Sequence, residues 1–125
     1  MIINNFLIIK CIGEDDKLGL RINKDFFVYN FQKKNEQLVS VIYKFLKSHS
    51  IKLDKNFSVI VNQGPGSFSG IRISLAVAKG LEISKNIRLY GYKNTDLSEF
   101  NQSNIENLLK KNLIEKKLIK PIYLS

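Results

Sequence analysis

The residues of this chain best placed for chemistry are the glycines and serines of Gly64-Pro-Gly-Ser-Phe-Ser-Gly70. A turn of this composition can cradle an anion through backbone N–H groups and the N-terminus of the helix that follows. Three specific uses can be checked against residue types. A nucleotide-binding P-loop needs a Lys and a Ser or Thr after its last glycine, and Ile71 stands there. A dinucleotide fingerprint needs Gly-x-Gly-x-x-Gly, but Gly64, Gly66 and Gly70 are one residue too far apart and no convincing acid follows about 20 residues on. A nucleophile elbow needs serine at the centre of Gly-x-Ser-x-Gly, and Phe68 is the centre of Gly66–Gly70. The lone histidine, His49, falls on an apolar helical face, where a core or boundary role is the expectation. One cysteine and one histidine cannot make a Cys/His zinc site, and Glu14, Asp15 and Asp16 suit a solvated turn. No catalytic residue and no metal ligand is assigned on these grounds.

The elements that must position this turn are a strand and a helix. Phe57 to Val61 is apolar and β-branched, as a buried strand is. Pro65 fixes φ and the glycines admit φ > 0, so the strand ends there. Ser69 is a good N-cap for a helix beginning near Gly70. In that helix Ile71, Ile73, Leu75, Ala76, Val77, Ala78 and Leu81 spread round most of the circumference, and Arg72, Lys79 and Glu82 make a narrow polar stripe. Such a helix is either fully internal to a larger α/β domain or covered on one side by a partner. Its small residues would allow close approach.

Around this centre the chain reads in order. Phe6–Ile12, Lys17–Ile22 and Phe26–Phe31 form an antiparallel meander with turns at Gly13–Asp16 and Asn23–Asp25. A helix capped at Asn35 shows Leu38, Val39, Ile42, Phe45, Leu46 and His49 on one face. After the long helix, Arg88–Tyr92 is a fifth strand. Asn94–Asn104 reads as a polar linker, Ile105–Leu118 as a basic amphipathic helix, and Ile122–Leu124 as a last strand. Three strands, helix, strand, helix, strand is the order of a ribonuclease H-like α/β domain with a five-stranded mixed sheet, its later strands joined in parallel by helical crossovers.

Composition bounds the partners. The 125 residues carry a formal net charge of +9, from 20 basic and 11 acidic side chains. A basic surface suits nucleic acid or an acidic protein. Scattered lysines accompanied by many Asn and Ile fit compositional drift equally well. No apolar run approaches the roughly 20 residues of a membrane span. The start reads as a strand rather than a leader, and the single Cys11 fits a reducing cytoplasm.

Gly64-Pro-Gly-Ser-Phe-Ser-Gly-Ile-Arg-Ile-Ser-Leu-Ala-Val-Ala-Lys-Gly-Leu81 resembles the signature of the TsaB (YeaZ) family, which reads Gly-Pro-Gly-Ser-Phe-Thr-Gly-Leu-Arg-Ile-Gly over this turn and Ala-Lys-Gly-Leu further on. The likeness is ungapped, and with the strand order it covers residues 1–97. Pro121-Ile-Tyr-Leu124 is similar to a motif near the end of full-length members.

The resemblance implies an actin-like ATPase (ASKHA, Gcp-like) fold and a part in making threonylcarbamoyladenosine beside the anticodon of tRNA. It implies a non-catalytic scaffold, without a cofactor of its own, that dimerises with a TsaD-like catalytic subunit and is joined by a TsaE-like ATPase. ATP and metal would then sit on those partners, and tRNA would be met indirectly. The implied interface comprises Leu38, Ile42 and Phe45 of the first helix with Gly70, Ile73, Ser74, Ala76, Val77, Gly80 and Leu81 of the second. Gly64, Pro65, Gly66, Ser67, Phe68, Ser69 and Gly70 form the glycine-rich turn.

Two departures bear on this. Lys10-Cys11 stands where the family's first strand commonly ends in Asp-Thr or Asp-Ser, and a lysine cannot coordinate a divalent cation. Residues 98–125 are expected to be a remnant of the family's second domain. Two other classes stay open: a homodimeric binding module outside tRNA modification, and a small hydrolase or peptidase using Ser67 or Ser69 with His49.

Overall fold

The computed structural model describes residues 4–11, 16–31, 37–66, 68–116 and 119–122, and Phe68 by its backbone alone. Strands β1 (Phe6–Lys10), β2 (Asp16–Ile22) and β3 (Asp25–Phe31) form the expected meander, with Leu7 opposite Leu20 and Gly19 opposite Val28. Strands β4 (Ser58–Asn62) and β5 (Arg88–Tyr92) join in parallel, in a register that places Ile8, Ile60 and Tyr90 side by side. A sixth, two-residue strand, β6 (Ile114–Glu115), pairs antiparallel with β5, so the sheet order is β3-β2-β1-β4-β5-β6.

Strands β1 and β4 lie in the middle of the sheet and are covered on both faces, which is why their sequences are nearly continuous apolar runs. Alternation sorts their side chains. Leu7, Ile9, Val59, Val61 and Leu89 meet helices α1 (Leu38–Ser48) and α2 (Phe68–Lys85) in one core. Phe6, Ile8, Ile60, Tyr90 and Tyr92 meet helix α3 (Gln102–Lys110) in a second core on the other face.

Several boundaries differ from expectation. Asp16 is not a turn residue: it opens β2, buried, with the Cys11 Sγ 3.6 Å from its Oδ2. The remaining residues expected in that turn, Gly13 to Asp15, lie outside the described set, as do Asn35 and Glu36 at the expected start of α1. Helix α2 starts at Phe68, so Ser69 lies inside its first turn rather than capping it.

The largest correction concerns the C-terminal quarter. The expected helix over 105–118 is shorter and earlier. Asn101 is its N-cap, accepting a 2.8 Å hydrogen bond from the Asn104 N–H. The helix stops at Lys110 because Asn112 adopts a left-handed φ of 57°, which asparagine tolerates better than most residues. The chain then turns into β6. The stretch read as a linker contains a 3-10 turn (Asn94–Asp96) and the buried Leu97.

Candidate partner-binding face and the turn that sets it

The glycine-rich turn is held from both sides. Gly64 has φ +104°, and a Cβ there would meet Ile122 O and come within 2.7 Å of Ile71 Cδ1, so no other residue fits. Its N–H donates to Asn62 Oδ1 at 2.8 Å, and its carbonyl accepts from the Asn94 N–H at 2.8 Å. The Asn62 amide donates to Asn94 Oδ1 at 3.0 Å, and the Asn94 amide to Pro65 O at 3.3 Å. On the other side Gln63 accepts at its carbonyl from the Ile122 N–H (2.7 Å) and donates from its amide to Lys120 O (3.0 Å). The Gly64–Pro65 peptide is cis. The Gly64 N–H is already engaged and Pro65 has none, so neither is a free donor to an anion. These bonds tie the turn to the chain just after β5 and to residues 120–122.

On α2, Gly70, Ile71, Ser74, Leu75, Ala78 and Leu81 are buried against the sheet, and Val77 is half-buried. Facing solvent are Ser69, Ile73, Ala76, Gly80 and Ile83, at alternating spacings of four and three. Such spacing makes one straight stripe on a helix. Ile73 is 43% exposed and Ile83 85%. A Cβ on Gly80 would meet nothing within 4 Å. Glycine in a helix interior costs about 1 kcal/mol relative to alanine, and nothing among the described residues requires it here. Ser69, Arg72, Ile73 and Ala76 line a shallow depression of about 370 Å³. On helix α1, Val39 and Tyr43 are also exposed.

The residues expected at an interface thus divide. Ile73, Ala76 and Gly80 are exposed on the outer face. Leu38, Ile42, Phe45, Gly70, Ser74 and Leu81 are buried in the chain's own core. Of the turn, Gly64 is buried, Pro65 and Gly66 are half-buried, and Ser67 and the Phe68 side chain lie outside the described residues. Sequence reasoning missed Asn62, Gln63 and Asn94. The signal was available: Asn62 ends a parallel strand directly before the glycines, and Asn94 lies two residues beyond its register partner Tyr92.

Elsewhere the chemistry is sparse. His49 caps the C-terminal end of α1, with its ring 4.2 Å from that of Phe27 and edge-on to Phe45 at 5.2 Å. It is a boundary histidine packed on aromatics. Lys10 lines a cleft of about 330 Å³ with Asn94, Thr95, Leu97, Ser98 and Phe100, at the end of the strand where relatives are expected to carry a carboxylate. Among the described residues no cluster of His, Cys, Asp or Glu could hold a metal ion, and no helix is long and apolar enough to cross a membrane.

The sequence model of the family described as "TsaD: tRNA N6-adenosine threonylcarbamoyltransferase" matches residues 31–112, well over half of the chain. A curated relative from Buchnera aphidicola subsp. Baizongia pistaciae, named tRNA threonylcarbamoyladenosine biosynthesis protein TsaB, is 38% identical over 64 residues, covering 47% of this chain and 29% of the relative. The chain belongs to this family, on its TsaB (YeaZ) side. A second TsaB, from Buchnera aphidicola subsp. Schizaphis graminum, is 31% identical over 81 residues, 61% of this chain and 39% of the relative. Among solved structures, YeaZ from Pseudomonas aeruginosa superposes with a TM-score of 0.66 at 16% identity, over 74% of this chain and 45% of that one. A Pseudomonas aeruginosa protein described as similar to peptidase YeaZ gives 0.65 at 16% identity, over 74% and 44%. The fold is therefore the ribonuclease H-like, ASKHA fold of TsaB/YeaZ proteins. The chain spans less than half the length of the relatives it matches.

Proposed function

We propose that this chain is a non-catalytic subunit of the cytoplasmic assembly that makes N6-threonylcarbamoyladenosine next to the anticodon of tRNA. It docks through the outer face of α1 and α2 onto a TsaD-like catalytic subunit and holds that enzyme in its active conformation. ATP and metal are handled by that subunit and by a TsaE-like ATPase, and tRNA is met through the complex.

The observation that carries the reading is the outer stripe of α2. Ile83 is almost fully exposed, and Gly80 stands in open space in the middle of a helix, where the chain's own packing gives it no purpose. A second helix laid along Ser69, Ile73, Ala76, Gly80 and Ile83 would bury the isoleucines, and the small residues would let its backbone approach closely. Family membership and the TsaB-named relatives supply the pathway.

The test is co-purification with the TsaD-like subunit of the same organism. Ala76 is exposed, so Ala76→Glu should leave the fold intact by circular dichroism and weaken the complex by on the order of a hundredfold, because a carboxylate would be buried without a partner. A folded Ala76→Glu chain that binds as tightly as the wild type would reject this docking face.

A further inference from the structure

We infer that the cleft beside Lys10 is an anion site, taking a phosphate dianion, free or as a small monoester, without a divalent cation. Strand β1 lies in the middle of the sheet, and alternation turns Phe6, Ile8 and Lys10 to the α3 face, away from the docking face proposed above. Register then sets a polar row across five strands, just beyond the apolar core of that face. Asn30 of β3 is opposite Lys17 of β2, and Lys17 is opposite Lys10. Asn62 of β4 and Tyr92 of β5 continue the row, one step past the Ile9–Val61 pair. The row runs along the carboxyl ends of the parallel strands β1, β4 and β5, outside which open α/β sheets take their ligands.

The two lysines stand apart from the rest. Lys10 and Lys17 are half-buried, whereas every other described lysine is exposed. Residues directly opposite on antiparallel strands have Cβ atoms about 5 Å apart, and like charges there repel. Drawing an ammonium partly out of water also costs free energy unless an opposite charge answers it. Among the described residues no carboxylate does so. The Lys17 Nζ donates to the neutral Asn30 Oδ1 at 2.7 Å, and Lys10 has no hydrogen bond or ion pair among those residues. Asp16, next to Lys17, turns to the opposite face, where the Cys11 Sγ is 3.6 Å from its Oδ2.

The cleft supplies what an anion would need besides charge. It holds about 330 Å³, within the roughly 300–1,000 Å³ of small-molecule sites. Thr95 and Ser98 bring hydroxyls to its lining. Ser98 Oγ accepts from the Asn104 amide at 3.5 Å and keeps its own proton to donate. Leu97 and Phe100 give an apolar wall against which the organic part of a monoester could lie. A phosphate monoester carries about −1.5 to −2 charges near neutral pH, which matches two ammonium groups better than a carboxylate does. No cluster of His, Cys, Asp or Glu among the described residues could bring a cation here, so the lysines would meet the phosphate directly.

Isothermal titration calorimetry on the full chain in EDTA tests this, with phenyl phosphate and inorganic phosphate as probes. Phenyl phosphate should bind one to one. Tighter binding than inorganic phosphate would identify an organic monoester as the ligand, and equal binding would identify free phosphate. Lys10→Gln should weaken either on the order of tenfold or more by removing a charged donor, and Lys17→Gln should weaken them in the same direction. Lys52→Gln, at an exposed lysine between α1 and β4, should change nothing. Phosphate should also raise the thermal midpoint of the wild type and not that of Lys10→Gln, since a ligand stabilises only the state that binds it. No binding by the wild type, binding that appears only when Mg²⁺ is added, or affinities unchanged in both Lys10→Gln and Lys17→Gln would each overturn the proposal. None of these readouts involves the TsaD-like subunit, so they stand whether or not the docking face does.

Discussion

Helices α2 and α3 pack on opposite faces of one sheet and are finished in opposite ways. Helix α3 buries Ile105 and Leu108 and turns Gln102, Ser103 and Asn107 to solvent, with Asn101 capping its start. Folding completes it. Helix α2 buries an equally apolar side and then shows solvent a second stripe of isoleucine, alanine and glycine. The contrast teaches that apolarity alone does not mark a docking surface. What would mark one is apolar and small residues left outside after the core is closed.

Substitutions on the two helices put this difference to the test. The largest expected effect on stability is Ile105→Ala, which opens a cavity beneath α3 and should cost about 2–4 kcal/mol in urea unfolding. Ile83→Ala, by comparison, should change stability by no more than about 0.5 kcal/mol, since 85% of that residue is exposed. Comparable losses at both positions would mean that α2 has no free face.

The next effect is on the alkaline side. Tyr92 is buried on the α3 face, and burial pushes its phenol above the ordinary value, with the nearby Asn62 side chain pulling partly back. No hydrogen bond of acceptable geometry reaches its hydroxyl from the described residues, Asn62 included. The folded state thus keeps a proton that the unfolded state releases above about pH 10. Stability contributed by the neutral phenol is present below that pH and is lost above it, by about 1.4 kcal/mol per pH unit. Unfolding measured at stepped alkaline pH should show this slope in the wild type and a shallower one in Tyr92→Phe; equal slopes would mean that the α3 face is wet. Asn101→Ala should then cost about 1 kcal/mol through loss of the cap, seen as a lower denaturation midpoint.

The smallest change carries the sharpest contrast. Gly80→Ala should stabilise the isolated chain by about 0.5–1 kcal/mol, because the added methyl meets nothing and the helix is favoured. The same methyl should weaken the complex. A variant that gains stability and keeps full affinity would place the partner elsewhere.

How much of this was legible depended on the kind of signal. The strands were readable because alternation and β-branched runs have few rivals; Arg88–Tyr92 falls at its expected limits. The direction of α2 was not readable. Its apolar residues circle the axis, and which third faces out is set by packing against strands and α1 that are distant in sequence. Leu38, Ile42 and Phe45 looked like an interface for the same reason that they look like a core: an amphipathic face does not say what covers it. In the C-terminal region Asn101 and Asn112 do structural work that composition reports only as polar loop.

Thiol labelling can report directly on whether a partner covers the outer side of α2. Cys11 is buried, so a cysteine introduced at Ala76 or at Asn107 would be the accessible thiol in each variant among the described residues. Adding the TsaD-like subunit should sharply slow alkylation of Ala76→Cys on α2 and leave Asn107→Cys on α3 unchanged. Equal rates at Ala76→Cys with and without a bound partner would contradict the account.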